Sequence, residues 1–327
     1  MLPLTKLARR AWDRSRGDGA IETDAQYTPN AFHDMLKSPF STAARAVTET
    51  RTFEVAAHVA DTGHGPQQHR VLVHTCGRRP SACTIRTLRA TISVLTAVYG
   101  AYPHARDLEV FLYGDPKRKV LPQLSRPVTV DHINSGFSSA SRVVVYRCSE
   151  MHRTIVHELV HVWKAHGRDI RSVQLRARKT LGAPESCLLT EAFVEAVTWL
   201  IYGGFCSSGL DPGFALRVAK AYLDARDDGR TNGWAYFVGK ALLVSDGGRA
   251  FHASFFRGPE NAGVRLVSAE HHRCLVSLME RACGELGGPS LDLVTPWPRY
   301  VSSPILCNCS LGPAFADERR RCGSGRA

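Results

Sequence analysis

The segment His157-Glu158-Leu159-Val160-His161 has the residue types and the spacing of a zinc site with a base beside it. Two histidines four residues apart lie on one face of a helix, about one turn from each other. Their imidazoles can therefore bind a single Zn²⁺ ion, at about 2.0–2.1 Å. Glu158 follows the first histidine directly, so its carboxylate can take the proton of a water molecule that the metal activates. The motif predicts a zinc-dependent hydrolase, with peptides as the leading substrate class.

Apolar residues flank this motif on both sides. Ile155 and Val156 precede it, and Val162 and Trp163 follow it. Such flanks are typical of a helix that packs into a core rather than of a solvated helix. The alternative that stays open is a core helix whose two histidines are satisfied by hydrogen bonds and bind no metal.

A catalytic zinc site also needs a third protein ligand and an open coordination position. The metzincin continuation of the motif requires Gly at 164 and His at 167, but the sequence has Lys164 and Gly167. Glu191 and Glu195 are better candidates, because they lie four residues apart on the next predicted helix. One can bind the metal while the other supports a ligand imidazole. Glu185 is the next candidate ligand. The alternative for Glu191 is that it binds no metal and stabilises the helix through the helix dipole, as an acid near a helix start does.

These residues together resemble the gluzincin group of metallopeptidases, which includes thermolysin and the zinc aminopeptidases. The resemblance spans about residues 150 to 200, and Thr190 stands where that group usually has Asn. It implies a zincin-like fold in which Glu191 is the third zinc ligand and Glu195 orients His157. More loosely, the region from 134 to 158 is similar to metallopeptidases that large DNA viruses encode. The residues that match the gluzincin pattern are His157, Glu158, His161, Glu191 and Glu195.

The same resemblance implies two further parts of the site. Gluzincins usually have a Tyr or His that stabilises the oxyanion. Tyr236 is the candidate for this catalytic role, and the pair His271 and His272 is a second candidate. For each of these residues the alternative is a structural role. An edge strand near the active-site helix should hold extended substrate by main-chain pairing, and either 128–138 or 142–147 could serve.

The elements that must position these residues follow from hydrophobic periodicity. Strands are predicted at 53–59 and 69–75, which form a hairpin, and at 108–113 and 142–147. Helices are predicted at 81–99, at 149–167 with the motif, and at about 184–202, 212–226, 232–245 and 264–284. This order predicts an α+β fold with a small N-terminal mixed sheet, followed by a mainly helical C-terminal half.

Four segments are predicted along the chain. The first is a basic, partly disordered arm over 1–48, with at most one helix. An α/β subdomain covers 49–167 and ends in the active-site helix. A helical subdomain over 168–290 supplies the third ligand, and an irregular C-terminal tail covers 291–327.

The net charge of +12 and the pI of about 9.4 raise the possibility of an anionic partner. Dense Lys/Arg runs are few, so nucleic acid is a possible partner but not the favoured one, and a peptide or protein substrate is expected. The alternative function is a catalytically inactive zincin-fold binding protein whose basic surface contacts nucleic acid or a virion component. A zinc hydrolase acting on a non-peptide amide is a third possibility.

The cysteines and the apolar segments indicate the compartment. The ten cysteines are scattered without a CxxC pair, which favours reduced thiols. The basic start has no apolar segment typical of a secretory signal, and no apolar run of about 18 residues could span a membrane. We expect an intracellular protein with no membrane partner, located in the host cytoplasm or the virion if it is viral.

Overall fold

A mixed β-sheet with helices packed against it forms the core of the part of this protein that the structure describes. In the computed structural model, four helices and six strands lie within the described residues, and the sheet order is β1-β2-β3-β4-β6-β5. This confirms the α+β class for that part of the chain. The structure describes residues 3–16, 19–23, 50–59, 67–100, 102, 107–115, 135–147, 150–163, 189–205 and 235. The helices predicted beyond 205 and the C-terminal tail lie outside these ranges.

The strands are β1 (Ala20–Thr23), β2 (Arg51–Val59), β3 (Gln67–Thr75), β4 (Leu108–Asp115), β5 (Gly136–Ser139) and β6 (Arg142–Arg147). The predicted hairpin is confirmed, since β2 and β3 pair in antiparallel register with Phe53 opposite Val73. β4 runs parallel to both β3 and β6. Alternate residues of the hairpin point into the core, and Phe53 and Val73 are both fully buried there.

Strand β6 lies inside the sheet rather than at its edge. It pairs with β4 on one side and with β5 on the other. Its valines are buried on both faces, as expected for an interior strand: Val143 and Val145 join the main core, and Val144 packs with Phe111 on the opposite face. The proposal that 142–147 pairs with substrate is therefore wrong, because its main-chain groups are already paired. Among the described strands, β5 lies at the edge next to β6, and it contains residues 136–138 of the other predicted range.

The first long helix, α2 (Ala82–Tyr99), forms as its sequence predicts. Ser81 caps it, accepting a hydrogen bond from the Thr84 backbone N–H at 3.1 Å. The helix ends at Gly100, whose φ of 85° suits glycine. Its apolar face packs on β2, and the residues predicted for that face are all buried, namely Ile85, Leu88, Ile92, Leu95 and Val98.

The start of the chain contributes to this core. Helix α1 (Pro3–Arg14) buries Leu4, Ala8 and Trp12, and β1 adds a strand to the sheet beside β2. Both elements lie where the sequence predicted a loosely ordered arm with at most one helix. The subdomain boundaries proposed from the sequence stay a prediction.

Two helices carry the candidate site: α3 (Met151–Val162) and α4 (Leu189–Phe205). Both occur where the sequence predicts them, although Ser149 and Gly167, the suggested ends of α3, lie outside the described residues. The end of α4 packs against α1, where Trp12 stacks on Phe205 with ring centroids 5.0 Å apart. No helix among the described residues is both long enough and apolar enough to cross a membrane.

Candidate metal centre

Helix α3 turns His157 and His161 toward the same neighbour. Ile155, Leu159 and Val162 are buried in the main core, which fixes the rotation of the helix about its axis. The two histidines, one turn apart, then face α4. Their rings lie with centroids 5.0 Å apart, and the Nε2 atoms of the two rings are 3.3 Å from each other.

Glu191, in the first turn of α4, completes a group of three side chains. One carboxylate oxygen lies 3.2 Å from His157 Nε2, and the other lies 3.1 Å from His161 Nε2. Two ligands of a tetrahedral ion with bonds of about 2.0–2.1 Å are themselves about 3.3 Å apart. The separations of 3.1, 3.2 and 3.3 Å are near this value, with the first two measured to different oxygens of Glu191. One ligand atom from each of the three side chains lies within 4.8 Å of the others, so this group could hold a metal ion.

A second carboxylate lies behind the first histidine. Glu195 is one turn after Glu191 on α4 and only 1% exposed. One of its oxygens lies 3.3 Å from His157 Nδ1, the ring nitrogen that faces away from Glu191 and His161. Arg153 and Trp199 also donate hydrogen bonds to this carboxylate.

The pKa values of His157 and Glu191 depend strongly on their neighbours in this group. Burial opposes the charged form of His157, but its contacts with Glu191 and Glu195 and the nearby Glu158 outweigh burial and raise its pKa to about 10. For Glu191, burial favours the neutral acid, but the two imidazoles outweigh it and hold the pKa of this carboxyl well below its usual range. The raised pKa of His157 means that a cation binding this ring competes with a proton.

Glu158 lies on the same helix, beside the first histidine and close to strand β5. It is 6% exposed, and burial raises its pKa, although the two histidines and a hydrogen bond from Ser138 on β5 act in the opposite direction. A carboxylate with a raised pKa is better able to hold a proton near neutral pH than an ordinary surface Glu. Its environment therefore suits a group that accepts and releases protons.

Strand β5 approaches α3 closely because residue 136 is glycine. A Cβ added at Gly136 would lie 2.5 Å from the main-chain oxygen of Val144 and 2.6 Å from Cγ2 of Thr154. Real Cβ atoms essentially never lie within 3.0 Å of such neighbours, so a side chain at 136 would force β5 away from β6 and from the helix. The edge of the sheet thereby borders the HExxH segment.

The sequence-predicted residues fall into two groups. His157, Glu158, His161, Glu191 and Glu195 are brought together, and Tyr236, Glu185, His271 and His272 lie outside the described residues. Sequence reasoning missed Arg153, Trp199 and Ser138. The first two could have been found from spacing, since Arg153 precedes His157 by one helical turn and Trp199 follows Glu195 by one.

Comparison with known protein families, with curated proteins and with solved structures finds no match to this chain. Its site therefore has to be interpreted from its own geometry. That geometry gives two imidazoles and one carboxylate with the spacing of metal ligands, and a buried acid next to them.

The raised pKa of His157 predicts a steep pH dependence for metal uptake. Only the neutral imidazole binds a metal, so binding releases a proton wherever the pH is below the pKa of about 10. The apparent affinity should therefore rise about tenfold per pH unit between about pH 6 and pH 8. Competition with a chelator of known pH dependence measures this slope. A flat profile over the same range would show that His157 does not lose a proton on binding.

Proposed function

We propose that this protein is a zinc-dependent metallopeptidase that hydrolyses peptide bonds with Glu158 as its general base. The observation that carries the proposal is that His157, His161 and Glu191 each place one ligand atom within 4.8 Å of the others. These donors come from two helices, and Glu191 lies 30 positions after His161 and 34 after His157 in the chain. Helix packing alone does not require their convergence on one point.

The donor set favours zinc over the common alternatives. Mg²⁺ and Ca²⁺ prefer oxygen ligands, and this group offers two nitrogens and one carboxylate. Structural zinc sites usually use four protein ligands, often cysteines, whereas catalytic sites use three and keep one position open. Two histidines and one glutamate form one of the ligand sets of catalytic zinc.

The chemistry divides between the ion and the side chains. When bound, zinc lowers the pKa of a water molecule from 15.7 to about 7 and polarises a substrate carbonyl. Glu158 takes the proton of the attacking water and delivers it to the departing amine. The buried surroundings that raise its pKa help it to hold that proton between the two transfers. Tyr236 remains the proposed residue for stabilising the oxyanion.

Strand β5 supports a peptide as the substrate. In the described part of the sheet it stands at one end, next to β6, and an extended chain would add there by main-chain hydrogen bonds. Strand β5 packs against α3, and Ser138 on this strand lowers the pKa of Glu158, which puts the strand near the proposed base. An extended peptide or an unstructured protein segment fits this arrangement.

A second candidate function is a binding protein that has lost catalysis. Lys6, Arg10 and Arg14 are exposed on α1 at intervals of four residues, and such a basic stripe can contact nucleic acid or an acidic virion component. The Glu158 carboxylate argues against this candidate, because a site used only for structure has no need of a base there.

Metal analysis combined with a peptide-cleavage assay tests the proposal. The purified chain should contain about one zinc ion and cleave unstructured peptides. A strong chelator should remove this activity, and added zinc should restore it. Cleavage that persists after the metal is stripped would contradict the proposal. Salt-dependent retention on DNA or RNA without any cleavage would favour the second candidate.

A further inference from the structure

Residues at intervals of four form two facing rows along α3 and α4. On each helix such residues share one face. Glu191 contacts both histidines, while Glu195 contacts His157 and the residue one turn before it. Moving forward along α4 from Glu191 to Glu195 thus means moving backward along α3, so the two helices are antiparallel here. The rows consist of Arg153, His157 and His161 on α3, and of Glu191, Glu195 and Trp199 on α4.

Both oxygens of Glu195 are held by donors. Arg153 Nη1 lies 3.1 Å from each of them, and Trp199 Nε1 donates to Oε1 at 2.9 Å. Oε2 then faces His157 Nδ1 at 3.3 Å. Three contacts from two helices fix the plane of one carboxylate, which leaves it a single orientation toward the imidazole.

The charge of this carboxylate also needs its partner. Glu195 is 1% exposed, and a buried carboxylate is stable only when it is paired and hydrogen-bonded. Arg153, with 16% of its side chain exposed, is a permanently charged group that meets this need. Its removal would take a permanent positive charge away from a buried carboxylate that is in direct contact with His157.

We propose that Arg153 and Trp199 are positioning residues for the metal centre, acting on His157 through Glu195. They hold Glu195 with its Oε2 at 3.3 Å from His157 Nδ1, on the side of the ring opposite the other ligand candidates. The ring then presents Nε2 toward Glu191 and His161. A ligand imidazole whose other N–H is held by a fixed acceptor binds metal more tightly, because ring orientation and tautomer are already set. This inference rests on the proposed function, since it assumes that His157 binds a metal.

The same contacts could instead be an interhelical ion pair that serves stability alone. The two roles predict different effects of an Arg153 substitution on metal affinity when Glu195 has already been replaced. A positioning role requires the carboxylate, so its effect on metal affinity disappears with it. A stabilising role of the arginine side chain persists in either background.

The test is a set of zinc affinities measured by chelator competition. Arg153→Met should lower the affinity about 10- to 100-fold, the range for loss of a group that supports a ligand. Arg153→Lys should recover part of it, because an ammonium restores the charge without the planar pair of donors. Trp199→Phe should cost roughly tenfold, because it removes the N–H and keeps the ring. Arg142→Met is the matched control, since Arg142 also pairs with a carboxylate, Glu109, outside the site.

Comparison with Glu195→Gln decides between positioning and stability. In that background, Arg153→Met should change the zinc affinity by less than about twofold. An undiminished second loss would overturn the inference, as would wild-type affinity in the single Arg153→Met variant. Should Arg153→Met fail to fold, Arg153→Lys and Trp199→Phe give the same decision, and wild-type affinity in both would overturn it. Failure of the wild-type chain to bind zinc would instead contradict the proposed function itself.

Discussion

The Glu158→Gln variant should keep its zinc and lose about 10²- to 10⁴-fold in the turnover number for peptide cleavage, the usual contribution of a general base. Glutamine has nearly the shape of glutamate, and its side-chain oxygen can still accept the hydrogen bond from Ser138. It cannot accept a proton. Because Glu158 is not among the three grouped ligand candidates, the metal content should stay at the wild-type level. Metal analysis and initial rates on the same preparation measure both effects.

Glu150→Gln provides the matched control for this variant. Glu150 is also a buried glutamate, it precedes α3 directly, and it accepts a hydrogen bond from Ser135 at 2.5 Å. The same loss of one negative charge at the start of the same helix should leave turnover near the wild-type value. If both variants lost activity equally, damage to the helix would explain the result. If Glu158→Gln kept full activity, Glu158 would not be the base.

The Glu191→Ala variant should show the second large effect, a loss of zinc affinity. Removal of one of three ligands should lower zinc affinity by more than about 100-fold, beyond the 10- to 100-fold expected for Glu195→Ala, which removes a group that only supports a ligand. Glu191 lies within 3.2 Å of both histidines, and among the described residues it is the acid that groups with them as a metal ligand candidate. Chelator competition on both variants gives the order of the two losses.

Two further substitutions sharpen this assignment. Glu109→Ala removes an acid that pairs with Arg142 outside the site, and it should leave zinc affinity unchanged. Glu185→Ala tests the other acid suggested by the sequence. A large loss in Glu185→Ala with none in Glu191→Ala would reverse the ligand assignment.

Much of the fold and of the site follows from local patterns. Alternation over 53–59 and 69–75 predicts the hairpin, and helical spacing from Ile85 to Val98 predicts α2. Both patterns report burial on one face of a single element, which a sequence states directly. The residues of the site can also be predicted from local spacing. An interval of four residues places His157 and His161 on one face of α3, and Glu191 and Glu195 on one face of α4.

The relations between elements could not be read in this way. The position of β6 inside the sheet depends on which strands pair with it, and its apolar run fits either an interior strand or a buried edge. Arg153 and Trp199 stand at helical intervals from the ligand candidates, but only the packing of α3 on α4 shows that both reach Glu195. The docking of α1 was missed because its basic residues mask an apolar face of Leu4, Ala8 and Trp12.

That docking has a consequence for the carboxylate ligand candidate. Gly204, near the end of α4, lies so close to α1 that an added Cβ would be 2.5 Å from the Ala8 side chain, and the neighbouring Phe205 stacks on Trp12. The helix that brings Glu191 to the histidines is thus braced at its far end by the first residues of the chain. Amino acids 3–14 contribute no donor atom to the group, yet they belong to the scaffold that sets where its acidic member stands.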